Sequence, residues 1–424
     1  MNDTLVETKY TIETSGNERF ILSEDLRSKA NQVLETTDFP TTRTEAWKYT
    51  RVAKIKNGVF KTLDLRLKTL DLNPFLIPNL NGSVLVFVNG FYASELSTIE
   101  QESGLEITNI ANRTKFADVL LGNLVPLENE VFNSINTVYS KDGVCIHVSK
   151  KAEIKQSIQV IFLSTGENTY SGTRNVILCE DFASAHIVMN YVSLDAKTCF
   201  NNSISEIHLG VNAKLTIDKI QQEDTSNFNI ISEYVNQSKD SNFTINTITL
   251  DGGLVRNNLT IEVNGQNSET HLSGAYILKG KQHVDNHTIV DHKVAHCESN
   301  ELYKGVIDDQ ATAVFNGKVF VRKDAQKINA FQSNGNVLLS DNATVNSKPE
   351  LEIYADDVKC SHGSTTGQLD EEAIFYLRAR GLSEKSARAL MVSAFIGDVI
   401  EKIENEAVQE YVYGKLEEKF GWVK

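Results

Sequence analysis

Two side chains near the C-terminal end have the types and spacing to do chemistry. Cys360 and His362 stand two residues apart in the segment KCSHGSTTG. On extended backbone such residues face the same side, about 6–7 Å apart. Thiolate and imidazole both suit iron, so the pair could converge on one iron or one sulfur species. Two ligands make a poor permanent site, and a second chain would have to complete it. The competing reading is a buried cysteine beside a hydrogen-bonded histidine.

A second cluster is HVDNHTIVDHKVAHC, where His283 and His287, then His292 and His296, lie four apart. On a helix that spacing would bring two rings to one zinc ion. The neighbours Thr288, Ile289, Val290 and Val294 are strand formers, and on a strand residues four apart lie about 13 Å from each other. Hydrogen-bonded structural histidines are therefore expected. The five cysteines, Cys145, Cys179, Cys199, Cys297 and Cys360, are scattered with no Cys-x-x-Cys pair. They read as free thiols, with the first three as small buried hydrophobes. No Gly-x-x-x-x-Gly-Lys-Ser/Thr phosphate loop and no Gly-x-Ser-x-Gly elbow occurs. Asp251-Gly-Gly reads as a turn.

The 424 residues carry a net charge of −14, which argues against nucleic acid or an anionic membrane as the main partner. No apolar run approaches the roughly 20 residues of a spanning helix, and the first residues lack a signal pattern. A cytoplasmic protein is expected.

The elements that must position Cys360 and His362 are strands. A strand is expected over Leu351–Val358, then a loop from Cys360 to Gly367 bracketed by Gly363 and Gly367. A helix follows from Asp370, with Glu371 and Glu372 in its first turn and Gly381 as its C-cap. Ser383 then caps a further helix. Its apolar stripe, Ala387, Leu390, Met391, Ala394, Phe395, Val399 and Ile400, suits internal packing or a docked partner. Near the N-terminus Ser23 caps a helix that stops before Pro40, a short helix is expected around Glu45–Tyr49, and Trp47 reads as an anchor on the body.

From Val84 onward, β-branched runs separated by Asn, Asp, Gly and Ser follow one another for over 200 residues without helical periodicity. Turn-like sites recur at Ala185, Ala213, Ser241, Ser268, Ala311 and Ala343, spaced 28, 28, 27, 43 and 32 residues apart by subtraction. Such spacing suggests the coils of a solenoid, with a double-sheet fold as the alternative. Asn, Asp and Ser must turn most of the coils. Helical segments at both termini are expected to cap the two open ends. The division expected is 1–80 partly helical, 81–366 solenoid core, and 367–424 helical.

The segment Lys348-Pro-Glu-Leu-Glu-Ile-Tyr-Ala-Asp-Asp-Val-Lys-Cys-Ser-His-Gly, with Gly367-Gln-Leu-Asp and Ile374-Phe-Tyr-Leu-Arg-Ala-Arg-Gly, resembles the SufB/SufD family of the Suf iron–sulfur cluster assembly system, in its SufD-like branch. Asn286-His-Thr, Asp291-His, His296-Cys-Glu-Ser, Leu302-Tyr-Lys-Gly, Val314-Phe-Asn-Gly, Asn336-Val-Leu-Leu-Ser and Glu45-Ala-Trp-Lys-Tyr-Thr extend the resemblance over most of the chain. It implies a mainly β fold, a right-handed parallel β-helix with helical segments at both ends. It implies a scaffold protein without enzymatic activity of its own, pairing with SufB through the β-helix and binding the SufC ATPase through the C-terminal helices, with a homodimer possible for the isolated chain. His362 is then linked to cluster assembly at the SufB interface, with Cys360 beside it. No cofactor or stably bound metal is expected in the isolated chain, and iron–sulfur species would be transient in the complex. A different class of reading is a β-solenoid enzyme, a carbohydrate lyase or acyltransferase, built on the His-rich stretch.

Overall fold

A computed structural model of the chain describes residues 11–14, 21–65 and 69–420. The N-terminal part runs β1 (Thr11–Glu13), α1 (Glu24–Thr36), a short helical turn at Glu45–Trp47, α2 (Ala53–Lys56), β2 (Val59–Thr62), β3 (Gly82–Val88), β4 (Phe91–Tyr92), β5 (Leu105–Asn109), α3 (Lys115–Leu120), α4 (Val131–Tyr139) and β6 (Val144–Val148). Fifteen strands then follow without interruption. They are β7 (Ser157–Glu167), β8 (Thr169–Cys179), β9 (Ser184–Lys197), β10 (Phe200–Leu209), β11 (Lys214–Gln222), β12 (Phe228–Gln237), β13 (Asn242–Asp251), β14 (Leu254–Val263), β15 (Glu269–Leu278), β16 (His283–His292), β17 (Glu298–Ile307), β18 (Thr312–Val321), β19 (Asn329–Leu338), β20 (Thr344–Ile353) and β21 (Lys359–Gly367). Three helices end the chain: α5 (Glu371–Ala379), α6 (Glu384–Ile400) and α7 (Glu406–Phe420).

From β7 on, even-numbered strands stack into one parallel sheet and odd-numbered strands into a second. The chain alternates between the sheets, so the body is a parallel β-solenoid of about eight coils. The sheet of odd strands begins its strands at residues 184, 214, 242, 269, 298, 329 and 359, so by subtraction one coil takes 27 to 31 residues. The irregular spacing read from sequence arose from mixing two corners. Ala213, Ser241 and Ser268 precede odd strands, whereas Ala311 and Ala343 precede even ones; Ala185 lies inside β9.

The chain enters each odd strand from β9 to β19 through one residue with left-handed backbone. Phe182, Asn212, Asp240, Asn267, His296 and Lys327 hold this position, all with φ between 54° and 62°. Asn and Asp tolerate it because their short polar side chains bond locally. Coil-to-coil backbone bonds fix the corner, as from Asn212 N to Lys239 O at 2.9 Å and from His296 N to Gln326 O at 2.9 Å. His296 is thus a corner residue.

Five apolar clusters form among the described residues, and the three largest divide the faces of the two sheets. One fills the solenoid between its sheets, with Phe87, Phe162 and Tyr191 stacked at 5.6 and 4.7 Å. A second lies on the outer face of the even sheet, where Trp47, Phe132 and Ile135 cover Phe200 and Ile230. A third lies on the outer face of the odd sheet, where α6 and α7 cover Ile220, Ile248 and Ile277.

Several expectations need correction. The segment from Cys360 to Gly367 is not a loop: it is β21, paired in parallel with β19. Pairing to a preformed edge supplies its ladder bonds, and that outweighs the weak strand preference of its Gly, Ser and Thr residues. The strand before it ends at Ile353 rather than Val358. Helices α3 and α4 interrupt the stretch read as free of helix, because Phe132 and Ile135 gain burial on the even sheet from a helical face. The C-terminal helices do not cap the end of the solenoid. They fold back along its odd sheet, α6 against β15 and β17 and α7 against β13.

Candidate functional site

The last coil has no successor. Strands β20 and β21 are the terminal strands of their sheets, and each is paired on one side among the described residues. Every residue of β20 and β21 is half-buried or exposed. Pro349 sits within β20, a place open to proline because this is an edge.

Side-chain alternation along β21 sends Cys360, His362, Ser364 and Thr366 to the inner face, which here is open. The register puts His362 at the end of a column through the odd sheet. Ile158, Ile187, Ile217, Ile245, Leu272, Glu301, Gln332 and His362 are successive partners. The five aliphatic members are 0% exposed. The column then turns polar over its last three coils. Thr288 Oγ1 donates to Glu301 Oε1 at 2.5 Å, and Gln332 Nε2 donates to Glu301 Oε2 at 2.6 Å. Burial pushes the Glu301 carboxyl up to about 6. Gln332 Oε1, next to the His362 position, is buried without a partner among the described residues. Gly317 leaves the space Gln332 occupies, since a Cβ there would meet Gln332 Nε2 at 2.2 Å.

Cys360 is half-buried at the end of the solenoid core, and burial raises its thiol. His362 is exposed, and its ring has no hydrogen bond among the described residues. Both side chains therefore share one face of one edge strand, as the spacing predicted, with the thiol tied to the core and the imidazole free. Ser364 Oγ donates to Ser347 Oγ at 2.7 Å, which in turn donates to Asn334 Oδ1 at 2.8 Å, clasping β21 to β20. Sequence reasoning missed Glu301, Gln332, Ser347 and Asn334, because only the coil register places them beside β21.

The His-rich stretch forms β16, so its histidines lie on a strand as expected. His283 Nε2 bonds Thr50 Oγ1 at 2.9 Å, His287 Nδ1 meets Arg256 Nη2 at 3.3 Å, and His292 Nε2 bonds Ser299 Oγ at 2.9 Å. Burial drives His287 and His292 down to about 4, so both rings are neutral near pH 7. Among the described residues, no group of three His, Cys, Asp or Glu side chains could hold a metal ion. Trp47 is the expected anchor. It stacks on Phe132 at 5.1 Å and carries the Arg256 guanidinium 3.8 Å over its ring. Lys348 Nζ reaches Glu45 Oε1 at 2.6 Å, so the N-terminal strap touches the last coil.

Helix α5 is capped by Asp370, whose side chain accepts from the backbone N–H groups of Glu372 and Ala373. Ser383 caps α6 in the same way, and Gly381 has φ 96°. The expected apolar stripe splits. Ala387, Val399 and Ile400 are buried on the odd sheet, while Leu390 is 49% exposed. Lys304 ties α6 to β17 through Phe395 O at 2.8 Å and through Asp398. Phe375 and Tyr376 on α5 are also exposed, at 72% and 55%.

The family model for the SUF system FeS cluster assembly SufBD core domain matches residues 162–395, and the model for the SufBD protein N-terminal region matches residues 10–160. The chain belongs to the SufB/SufD family. Within it the chain is SufD-like. An iron–sulfur cluster assembly SufBD family protein of Synechocystis is 33% identical over 410 residues, covering 93% of this chain and 90% of the relative. The iron–sulfur cluster assembly protein SufD of Escherichia coli is 27% identical over 420 residues, covering 98% and 96%. SufD of Bacillus subtilis is 25% identical over 303 residues, covering 70% and 68%. The SufBD core match begins inside β7 and ends inside α6, so it takes in the open end of the solenoid. Among the described residues no helix is long and apolar enough to cross a membrane.

Proposed function

We propose that this chain is a scaffold subunit for iron–sulfur cluster assembly, without a turnover reaction of its own. A SufB-type partner joins it at β20 and β21, and a SufC-type ATPase docks on the exposed side of α5 and α6. The observation that carries this reading is the open last coil. Two adjacent strand edges, ten and nine residues long, are left without a further neighbour. Long unprotected edges are templates for another chain. Cys360 and His362 stand on that seam, where a partner could add the ligands that two side chains cannot supply. The cluster is cargo here, built from iron and sulfur that arrive from elsewhere. The Cys360 thiol must lose its proton before it binds metal, and the free imidazole of His362 is the nearby group able to take a proton or a bond.

The exposed Phe375, Tyr376 and Leu390 support docking of the ATPase on the C-terminal helices. Co-expression with both partners tests the two surfaces separately. Ser364→Arg with Thr366→Arg should abolish recovery of the SufB-type partner while the ATPase still co-purifies. Phe375→Asp with Leu390→Asp should do the reverse. Loss of neither partner in these variants would place the docking surfaces elsewhere. The chain purified alone should be colourless, since its cysteines offer no cluster-binding set; a stable visible iron–sulfur spectrum would contradict this.

A further inference from the structure

A groove of about 950 Å³ opens where the N-terminal strap crosses the corners that lead into the even strands. The chain as a whole is acidic, at −14. The groove is not. Arg51 and Lys54 line it from the strap, Lys279 and Lys281 line it from the corner before β16, and no carboxylate stands in its wall. None of these four cations has an ion pair among the described residues. One acid stands beside the groove, Asp309, whose carboxylate accepts from the backbone N–H of Gly280 at 2.9 Å, and other acids close by are engaged. Asp285 accepts from Thr50 and Arg256, Asp251 accepts from Gln282 and Lys419, and Asp224 accepts from Ser226.

Four like charges around one concavity repel each other and raise the local concentration of anions. The rest of the wall supplies hydrogen-bond donors and flat surface. Hydroxyl and glycine corners of successive coils line its floor; the exposed ring of Tyr49 lines it from the strap, and the largely buried ring of Phe228 from the even sheet. The volume falls within the range of about 300–1,000 Å³ common for small-ligand sites.

We propose that this groove binds a small polyphosphate anion carrying a flat ring. Arg51, Lys54, Lys279 and Lys281 hold the phosphates, and Tyr49 and Phe228 hold the ring. Phosphate oxygens accept charge-assisted hydrogen bonds from all four side chains. The ring gains contact with an aromatic face. This site lies on the strap side of the even sheet and is independent of the Cys360–His362 seam.

The test uses the full chain with two probes, inorganic pyrophosphate and ATP, both without divalent metal, by calorimetry at low ionic strength. Both should bind, and both affinities should fall steeply with added salt. Lys279→Ala with Lys281→Ala should weaken both probes about tenfold or more. Tyr49→Ala should weaken ATP and leave pyrophosphate unchanged. Lys293→Ala, on a lysine elsewhere on the body that pairs with Glu262, should change neither. The melting temperature of each variant without probe should match the parent chain. No binding of either probe to the parent chain at millimolar concentration would overturn the proposal. So would unchanged affinity in the double lysine variant, or binding of a polyglutamate peptide without binding of pyrophosphate.

Discussion

The middle of the solenoid and its last coil share one backbone plan and differ in what fills it. In the middle, the column that ends at His362 is Ile158, Ile187, Ile217, Ile245 and Leu272, all fully buried. In the last three coils the same register holds Glu301, Gln332 and His362. The neighbouring column changes likewise, from Phe243 through Thr270, Ser299 and Ala330 to Cys360. Stability does not require that drift. Aliphatic side chains would pack between the sheets and add about 1.5–3 kcal/mol each. The polar end is where the fold stops serving its own core and offers side chains to something outside.

Breaking the column in its middle and at its open end should therefore have very different costs. Ile217→Ala removes a fully buried side chain and leaves a cavity, and chemical denaturation should show a loss of about 2–5 kcal/mol. His362→Ala should cost less than about 0.5 kcal/mol, since it removes no buried contact. Equal losses would mean the last coil is packed like the middle.

The polar section can be sharpened by pH. The folded-state Glu301 carboxyl is raised to about 6. A raised carboxyl contributes stability fully below its unfolded value, near 4.3, and loses it as pH rises through about 6. Glu301→Gln removes that loss. The variant should be more stable than the parent by about 1–2 kcal/mol at pH 8 and should converge with it at pH 4, as read by denaturant midpoints. A difference independent of pH would contradict a raised Glu301 carboxyl.

The corners give a smaller effect. Phe182 holds the left-handed position with φ 60° and an exposed ring. Its equivalent one coil on is Asn212. Phe182→Asn should raise stability by about 1 kcal/mol, seen as a higher melting temperature. A fall would show that the Phe182 ring is held by packing.

Much of this plan was legible in the chain. The β-branched runs, Asn and Asp as corner residues, Ser23 and Ser383 as helix caps, and Trp47 as an anchor all follow from local rules. So did the shared face of Cys360 and His362, because side-chain alternation needs only two residues on extended backbone. What local rules missed was set by distant partners. KCSHGSTTG reads as a loop until β19 is present to pair with it. Glu301 and Gln332 lie 61 and 30 residues before His362 in the chain, and only the coil length brings them to its column. The C-terminal helices were read as an end cap because their apolar stripe does not say which surface receives it. The outward Ile220, Ile248 and Ile277 of the odd sheet do.

The claim that the open coil is the assembly seam is tested most directly at His362. The whole complex, with its SufB-type and SufC-type partners, would be purified from cells carrying His362→Ala and assayed for iron and acid-labile sulfide. The same samples give subunit ratio and melting temperature, with Cys360→Ser as a companion of weaker expected effect. An intact complex with unchanged melting temperature and a large fall in cluster content is expected. Normal cluster content in the His362→Ala complex would contradict the claim.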